Sequence, residues 1–357
     1  MPARSVSPHN QAILFVEMPA MRPVPAVLSA VALAATWVPA SAQVVLTASS
    51  WLAPTHALSE TQKAWCAKLE EKTAGKAKCN ILPRGVAAAP ATFDAVRNGL
   101  ADISFTVHGY TPGRFVTTQV AEMPFLGDNA EPVSVAFQRL YAKTPAMADE
   151  HKGVKVLTVF THGPGIVFNT KRPIVKAEDL AGLKWRVGGG MVNEISKALG
   201  MNVTLKPAPE SYELLSSGVM DGTLFPAESV ESFKIDKVVR YGTTFPGGLY
   251  NTSFVFMMNQ AKYDSLPPEV KKAVDELSGE VAARMFGQGW DKVDRRGLAF
   301  MQAAGVQMSK ADPAFVKVVT DKTAPLVEAW AKAAEAKGMK DPKKALADMR
   351  AEIARLQ

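Results

Sequence analysis

The sequence predicts an α/β protein built from two β-α-β-α-β units. Two observations carry this. Strand-like and helix-like segments alternate between residues 44 and 107 and again between 154 and 225, the pattern of a mainly parallel sheet. A chain of 357 residues, 47% hydrophobic and 21% charged, is globular in composition and long enough for two cores.

In the first unit, Val44 to Ser50 (VVLTASS) is the expected opening strand. Ser59 starts a predicted helix to about Lys72, with Thr73, Ala74 and Gly75 as its stop. Lys78 to Leu82 is the second strand, closed by Pro83 and Gly85. A short helix over Thr92 to Leu100 and a strand over Ala101 to Val107 complete the unit.

In the second unit, strands are expected at Val154 to Phe160, Ile166 to Asn169 and Leu183 to Val187. Gly188, Gly189 and Gly190 lead into a helix over Val192 to Leu199. Val203 to Leu205, a helix over Ser211 to Ser217 and a strand over Asp221 to Phe225 follow. No sequence repeat relates the two units.

Leu249 to Asn259 (LYNTSFVFMMN) is a predicted long strand, long enough to cross between two lobes. A helical stretch from Pro267 to about Ala304 keeps Val270, Val274, Leu277, Val281, Met285 and Val293 at helical spacing. Gly287 and Gly289 mark a kink in it. Asp312 to Gln357 reads as two or three charged amphipathic helices, with Lys337, Lys340, Lys343 and Lys344 on a solvated face.

The N-terminus carries an export signal. Ala26 to Val38 is a short apolar run behind Arg22, and Ala40-Ser41-Ala42 gives an A-x-A cleavage site after Ala42. A buried helix would give the same run but not that ending. The run is short for a bilayer span, and no lipobox cysteine follows it. Residues 1–20 are superfluous to such a signal, so Met18 and Met21 compete with Met1 as the start. The expected location is the periplasm.

The net charge is +7, and removing Arg4, Glu17 and Arg22 with the signal leaves +6. The basic residues are scattered and not interleaved with aromatics, which argues against nucleic acid. An oxidising compartment allows Cys66, on a predicted helix, to bond Cys79 on the next strand. Such a short loop is worth roughly 3 kcal/mol. The alternative is two free buried thiols. The absence of C-x-x-C argues against redox catalysis and zinc.

No G-x-S-x-G, H-E-x-x-H or P-loop occurs, so no enzyme activity and no cofactor are expected. His56, His108, His151 and His162 lack metal-ligand spacing. The informative segment is Trp185-Arg186-Val187-Gly188-Gly189-Gly190. Arg186 sits near the carboxyl end of a strand, where open α/β sheets bind ligands. The helix start beyond offers free N–H groups and a positive dipole. An arginine there grips a carboxylate through two parallel hydrogen bonds, unless it is a surface residue in an ion pair. His108 and Tyr110, spaced by glycines in Val107 to Phe115, suit either a pocket wall or a local turn. Trp51, just after the first strand, is pocket wall or core.

These residues resemble the solute-binding components of tripartite ATP-independent periplasmic (TRAP) transporters, of the C4-dicarboxylate-binding type. The resemblance covers nearly all the exported chain to about residue 305. It rests on ordered segments: TASSWLAPTHALSE, TFDAVRNGLADISF, AEMPFL, DLAGLKWRV, the helix ending at Leu199-Gly200, ESYELLSSGVMDG, SFVFMMN and SLPPEV.

The resemblance implies a two-lobed periplasmic binding protein fold with crossing hinge strands and a long connecting helix, closing over its ligand without catalysis. Lobe I would hold 43–161 with about 250–285, lobe II 162–249 with about 286–310, and 311–357 would be C-terminal helices. The family's signature arginine falls on Arg186. Asp221-Gly222 matches its D-G turn, but Phe225 stands where many members have an asparagine, and Gly188 replaces a frequent proline. Phe225 offers a stacking surface instead, and Asn251 is placed to supply a compensating amide. The expected ligand is a monocarboxylate with an apolar or aromatic body, such as a 2-oxo or 2-hydroxy acid. The expected partners are that acid and the TRAP membrane permease subunits, with the chain a monomer or dimer. A sensor serving a membrane receptor would share every one of these features. An exported hydrolase would need a nucleophile–base or carboxylate pair in the cleft.

Overall fold

The structure is a computed structural model that describes residues 12–17 and 43–357. The export segment, its cleavage after Ala42 and the choice among Met1, Met18 and Met21 fall outside the described residues.

Two sheets form two lobes. The strands, in chain order, are β1 (Val44–Ala48), β2 (Ala77–Ile81), β3 (Ile103–Val107), β4 (Val154–Thr161), β5 (Ile166–Asn169), β6 (Lys184–Val187), β7 (Asn202–Leu205), β8 (Gly222–Phe225), β9 (Tyr241–Thr244), β10 (Ser253–Asn259) and β11 (Gln307–Lys310). The first sheet has the order β2-β1-β3-β10-β4 and the second β11-β9-β5-β8-β6-β7. The parallel trios β2-β1-β3 and β7-β6-β8 are the two expected β-α-β-α-β units. Each trio is extended by one antiparallel strand, β10 in the first sheet and β5 in the second.

The expected long strand from Leu249 is shorter than its pattern. β10 begins at Ser253 and pairs only with β3 and β4. The segment before it does the crossing. Residues 249–252 run beside 162–165, with His162 N–H donating to the Thr252 carbonyl (3.3 Å), Gly165 N–H to Tyr250 (2.9 Å) and Leu249 N–H to Gly165 (3.1 Å). These two backbone segments are the hinge. β9 and β11, YGTT and QMSK, were not anticipated. Each is four residues without apolar alternation, so the period-2 signal is missing.

The expected 267–304 helix is broken. Helices Pro268–Glu276 and Glu280–Ala303 are separated at Gly279, whose φ of 63° suits glycine. Gly287 and Gly289 lie inside the second helix and do not break it. At Gly287 a Cβ would fall 2.4 Å from the Glu131 backbone, so the missing side chain lets the Ala130–Lys143 helix pack closely.

The tail forms helices Pro313–Ala336 and Pro342–Leu356. The first sends the Trp330 indole N–H to the Val116 carbonyl, 2.9 Å away.

Trp65, fully buried, donates its indole N–H to the Leu277 carbonyl at 2.9 Å and packs edge-on against Phe256. It ties the Ala57–Lys72 helix to the helix break, and its truncation to alanine costs about 3–5 kcal/mol. Cys66 and Cys79 form a disulfide with a Cα separation of 5.7 Å. Among the described residues, no helix is long and apolar enough to cross a membrane.

Candidate functional site

A cavity lies between the lobes, lined by residues from both sheets. Four sources build its wall. Trp51, His56, Val107 and Tyr110 lie at or beyond strand ends of the first sheet. Arg186, Val192, Leu224 and Phe225 come from the second sheet and the helix after β6. His162, Tyr250 and Thr252 come from the hinge, and Trp290 from the Glu280–Ala303 helix.

Arg186 is the only cationic Lys or Arg side chain among these lining residues, and it is buried. Its place follows from β6 register: it pairs across with Thr204 on β7 and Thr223 on β8, so its side chain rises beside the strand ends. Its Nε donates to the Lys206 carbonyl at 2.8 Å, fixing the plane of the guanidinium. The Phe225 ring lies under it, 4.5 Å from Cζ to ring centroid. Burial pulls the guanidinium below its ordinary pKa, and the nearby Tyr110 and Tyr250 phenols oppose that pull. No carboxylate among the described residues forms an ion pair with it.

Tyr110 and Trp51 form one wall. The Tyr110 hydroxyl accepts the Ala208 N–H at 2.9 Å, a contact from one lobe to the other. The Trp51 indole donates to the Phe105 carbonyl at 2.9 Å, and its ring meets Tyr110 edge-on at 5.8 Å. Phe225 stacks on Phe233 at 5.4 Å. Four of the six residues expected at the ligand, Arg186, Phe225, Tyr110 and Trp51, are therefore brought together on one cavity.

His108 and Asn251 are not on that wall. Asn251 is buried with its amide turned to the hinge; oriented to satisfy its neighbours, its nitrogen donates to the Gly163 and Tyr250 carbonyls at 3.0 and 3.2 Å. His108 faces away, with Nδ1 2.9 Å from Ser253 Oγ and Nε2 2.8 Å from His151 Nε2. His151 Nδ1 lies 2.7 Å from the Met147 carbonyl.

The glycine run also has a different role from the one its sequence suggests. The helix starting at Met191 does not offer its first N–H to a ligand. Met191 N–H donates to Glu122 Oε2 at 2.7 Å, and Glu122 Oε1 lies 2.6 Å from Ser253 Oγ. Gly189, at φ 92°, lies so close to Gly109 that a Cβ on it would fall 2.4 Å from the Gly109 carbonyl. The glycines let the two lobes touch backbone to backbone.

Proton accounting constrains the Glu122 network. His151 Nδ1 faces a carbonyl, so it carries a proton and Nε2 accepts from His108 Nε2–H. His108 Nδ1 then accepts from Ser253 Oγ–H. With both rings neutral, as burial favours, Ser253 has no second hydrogen for Glu122 and the 2.6 Å contact is complete with Glu122 as a neutral acid donor; with a charged His108 ring the same hydroxyl donates to the Glu122 carboxylate. Burial works in the same direction. It raises the Glu122 pKa, lowers that of His108 well below its usual value, and brings His151 to about 4.

Sequence reasoning missed His56, His162, Tyr250, Phe233, Phe254 and Trp290 as wall residues. His56 caps the Ala57–Lys72 helix by accepting Leu58 N–H on Nδ1 (3.2 Å), and its Nε2 faces Glu228 at 3.3 Å. A histidine three residues before the predicted helix start at Ser59 was the available signal.

The profile of the family described as bacterial extracellular solute-binding protein, family 7 (DctP), matches residues 48–333. Among solved structures, a TRAP periplasmic solute-binding protein from Bordetella bronchiseptica, with bound (R)- and (S)-mandelate, is 43% identical. It superposes with a TM-score of 0.85, covering 88% of this chain and all of that one. A TRAP solute-binding protein from Rhodoferax ferrireducens with copurified benzoate is 30% identical, at a TM-score of 0.82, covering 88% of this chain and 98% of that one. A marine metagenome TRAP protein specific for aromatic acids, in complex with 3-hydroxybenzoate, is 32% identical. Its TM-score is 0.82, with 88% and 98% covered. The chain belongs to family 7 of the bacterial extracellular solute-binding proteins, the DctP family of TRAP solute-binding proteins.

Proposed function

We propose that this chain captures an aromatic monocarboxylate between its lobes and delivers it to a TRAP membrane permease. One observation carries the reading: a buried guanidinium, seated on an aromatic ring, faces a cavity without a protein carboxylate to neutralise it. A buried charge is costly unless paired, and a ligand carboxylate is the partner the fork fits. The remaining wall is aromatic, with Trp51, Phe225, Phe233, Phe254 and Trp290 suited to the ligand's ring. Similarity to proteins holding mandelate, benzoate and 3-hydroxybenzoate supports the same class.

A ligand that touches Arg186 on one lobe and Trp51 on the other favours the closed arrangement, so closure is a shift of population. The chain works in the periplasm, released by cleavage after Ala42. A thermal-shift screen of residues 43–357 against organic acids tests the reading. Ligand at 100 times its Kd adds about 2.7 kcal/mol of stability. Stabilisation by aromatic acids but not by C4-dicarboxylates is expected. The reverse order would reject it.

A further inference from the structure

The cavity wall can be followed from ring to ring away from Arg186. Phe225 lies beneath the guanidinium, Phe233 stacks on Phe225, His56 meets Phe233 at 5.8 Å, Trp290 meets His56 at 6.0 Å, and His162 meets Trp290 at 5.9 Å. Two polar atoms at the end of this path lack partners among the described residues. The Trp290 indole N–H is buried and donates to nothing. His162 donates from Nδ1 to the Gly163 carbonyl, which leaves Nε2 as a lone-pair acceptor with no protein donor. His162 is 4% exposed, and burial brings its pKa to about 4, so the ring stays neutral. His56 is not available in the same way, since Leu58 N–H and Glu228 take both its nitrogens.

A buried donor without a partner is costly unless a ligand group completes it, and the Nε2 of the neighbouring His162 ring has no protein donor either. We infer that His162 and Trp290 form a subsite for a hydroxyl on the ligand's ring. This deepens the aromatic-acid reading above and rests on it. A hydroxyl both donates and accepts, so it gives its hydrogen to His162 Nε2 and receives the Trp290 N–H. A carboxylate or ketone has no hydrogen for Nε2, and a methyl satisfies neither atom. The transported class is then a ring-hydroxylated aromatic acid. A site built to bond a hydroxyl discriminates strongly against the analogue lacking it.

Calorimetry on ligand-free residues 43–357 tests this with matched pairs: 3-hydroxybenzoate and 3-methylbenzoate, 4-hydroxyphenylacetate and 4-methylphenylacetate. At least one hydroxy acid should bind tenfold or more tighter than its methyl partner. In His162→Phe that advantage should fall to threefold or less. Trp290→Phe, which removes the indole N–H but keeps an aromatic ring in the wall, should reduce the same advantage and serves if His162→Phe does not fold. His162→Gln, which keeps an acceptor, should retain part of it. If hydroxy and methyl acids bind alike, or the advantage survives both aromatic variants, the subsite is wrong while the aromatic-acid reading stands. If no aromatic acid binds, that reading fails and the subsite with it.

Discussion

The Arg186 guanidinium lies 4.5 Å from the centroid of the Phe225 ring. This contact joins the two ends of the site. The ring holds the fork flat from below while the Lys206 carbonyl holds its edge, and the ring's remaining surface is a floor for an apolar ligand body. A cation over a desolvated aromatic face gains about 0.5–2 kcal/mol, which offsets part of the cost of burying the charge.

Arg186→Ala should lose about 2–5 kcal/mol of ligand affinity, the range for truncating one partner of a buried charge pair. Arg186→Lys should recover little of it, because an ammonium lacks the planar fork. Titration calorimetry with mandelate or benzoate reads both, and an unchanged Kd in Arg186→Ala would remove this residue as the anchor.

Phe225→Asn puts an amide in place of the ring beneath the Arg186 guanidinium. It removes the floor for the ring, so affinity for aromatic acids should fall by about 1–3 kcal/mol. Affinity for C4-dicarboxylates should rise relative to them. Competition between benzoate and succinate, measured in both proteins, shows the switch or its absence.

Glu122→Gln should be tolerated within about 1 kcal/mol, because an amide N–H can donate to Ser253 while its oxygen accepts Met191 N–H, as a neutral acid does. Glu122→Ala leaves both groups unpaired and should cost about 2–4 kcal/mol. Urea unfolding separates the two. A Gln variant as unstable as the Ala variant would mean that Glu122 works as a carboxylate.

Acid titration should show His151 and His162 neutral well below the usual histidine pKa, since burial brings both to about 4. An unfolded histidine titrates near 6.5. Between about 6.5 and 4 the unfolded chain takes up protons that these rings do not, so their contribution to stability falls as pH falls through that window. Asp294, pushed up to about 8 by burial, acts in the opposite sense. Imidazole NMR signals titrating near 6.5 would contradict the buried neutral pair.

The place of Arg186 on the cavity wall was legible because three cues coincided: a strand end, a glycine run and a helix start. The fold was legible through the same alternation, and Phe225 through its departure from a familiar position. Strand ends fix a neighbourhood but not the direction of each side chain. His108 sits at such an end yet turns to Ser253 and His151, and Asn251 turns to the hinge carbonyls. Trp290 and His162 reach the cavity only through tertiary packing. One lies mid-helix, 128 positions from the other, and no local period brings them together. The break at Gly279 was hidden because the apolar spacing of Val270, Val274 and Leu277 runs up to it without a visible fault.

The most direct test of the central claim is calorimetry of ligand-free protein with an aromatic acid and its uncharged amide, benzoate against benzamide and mandelate against mandelamide. The account predicts tight binding of the acids and a loss of at least a hundredfold for the amides, because Arg186 then faces no charge. Equal affinity for acid and amide, or binding of neither, would contradict a carboxylate held by Arg186.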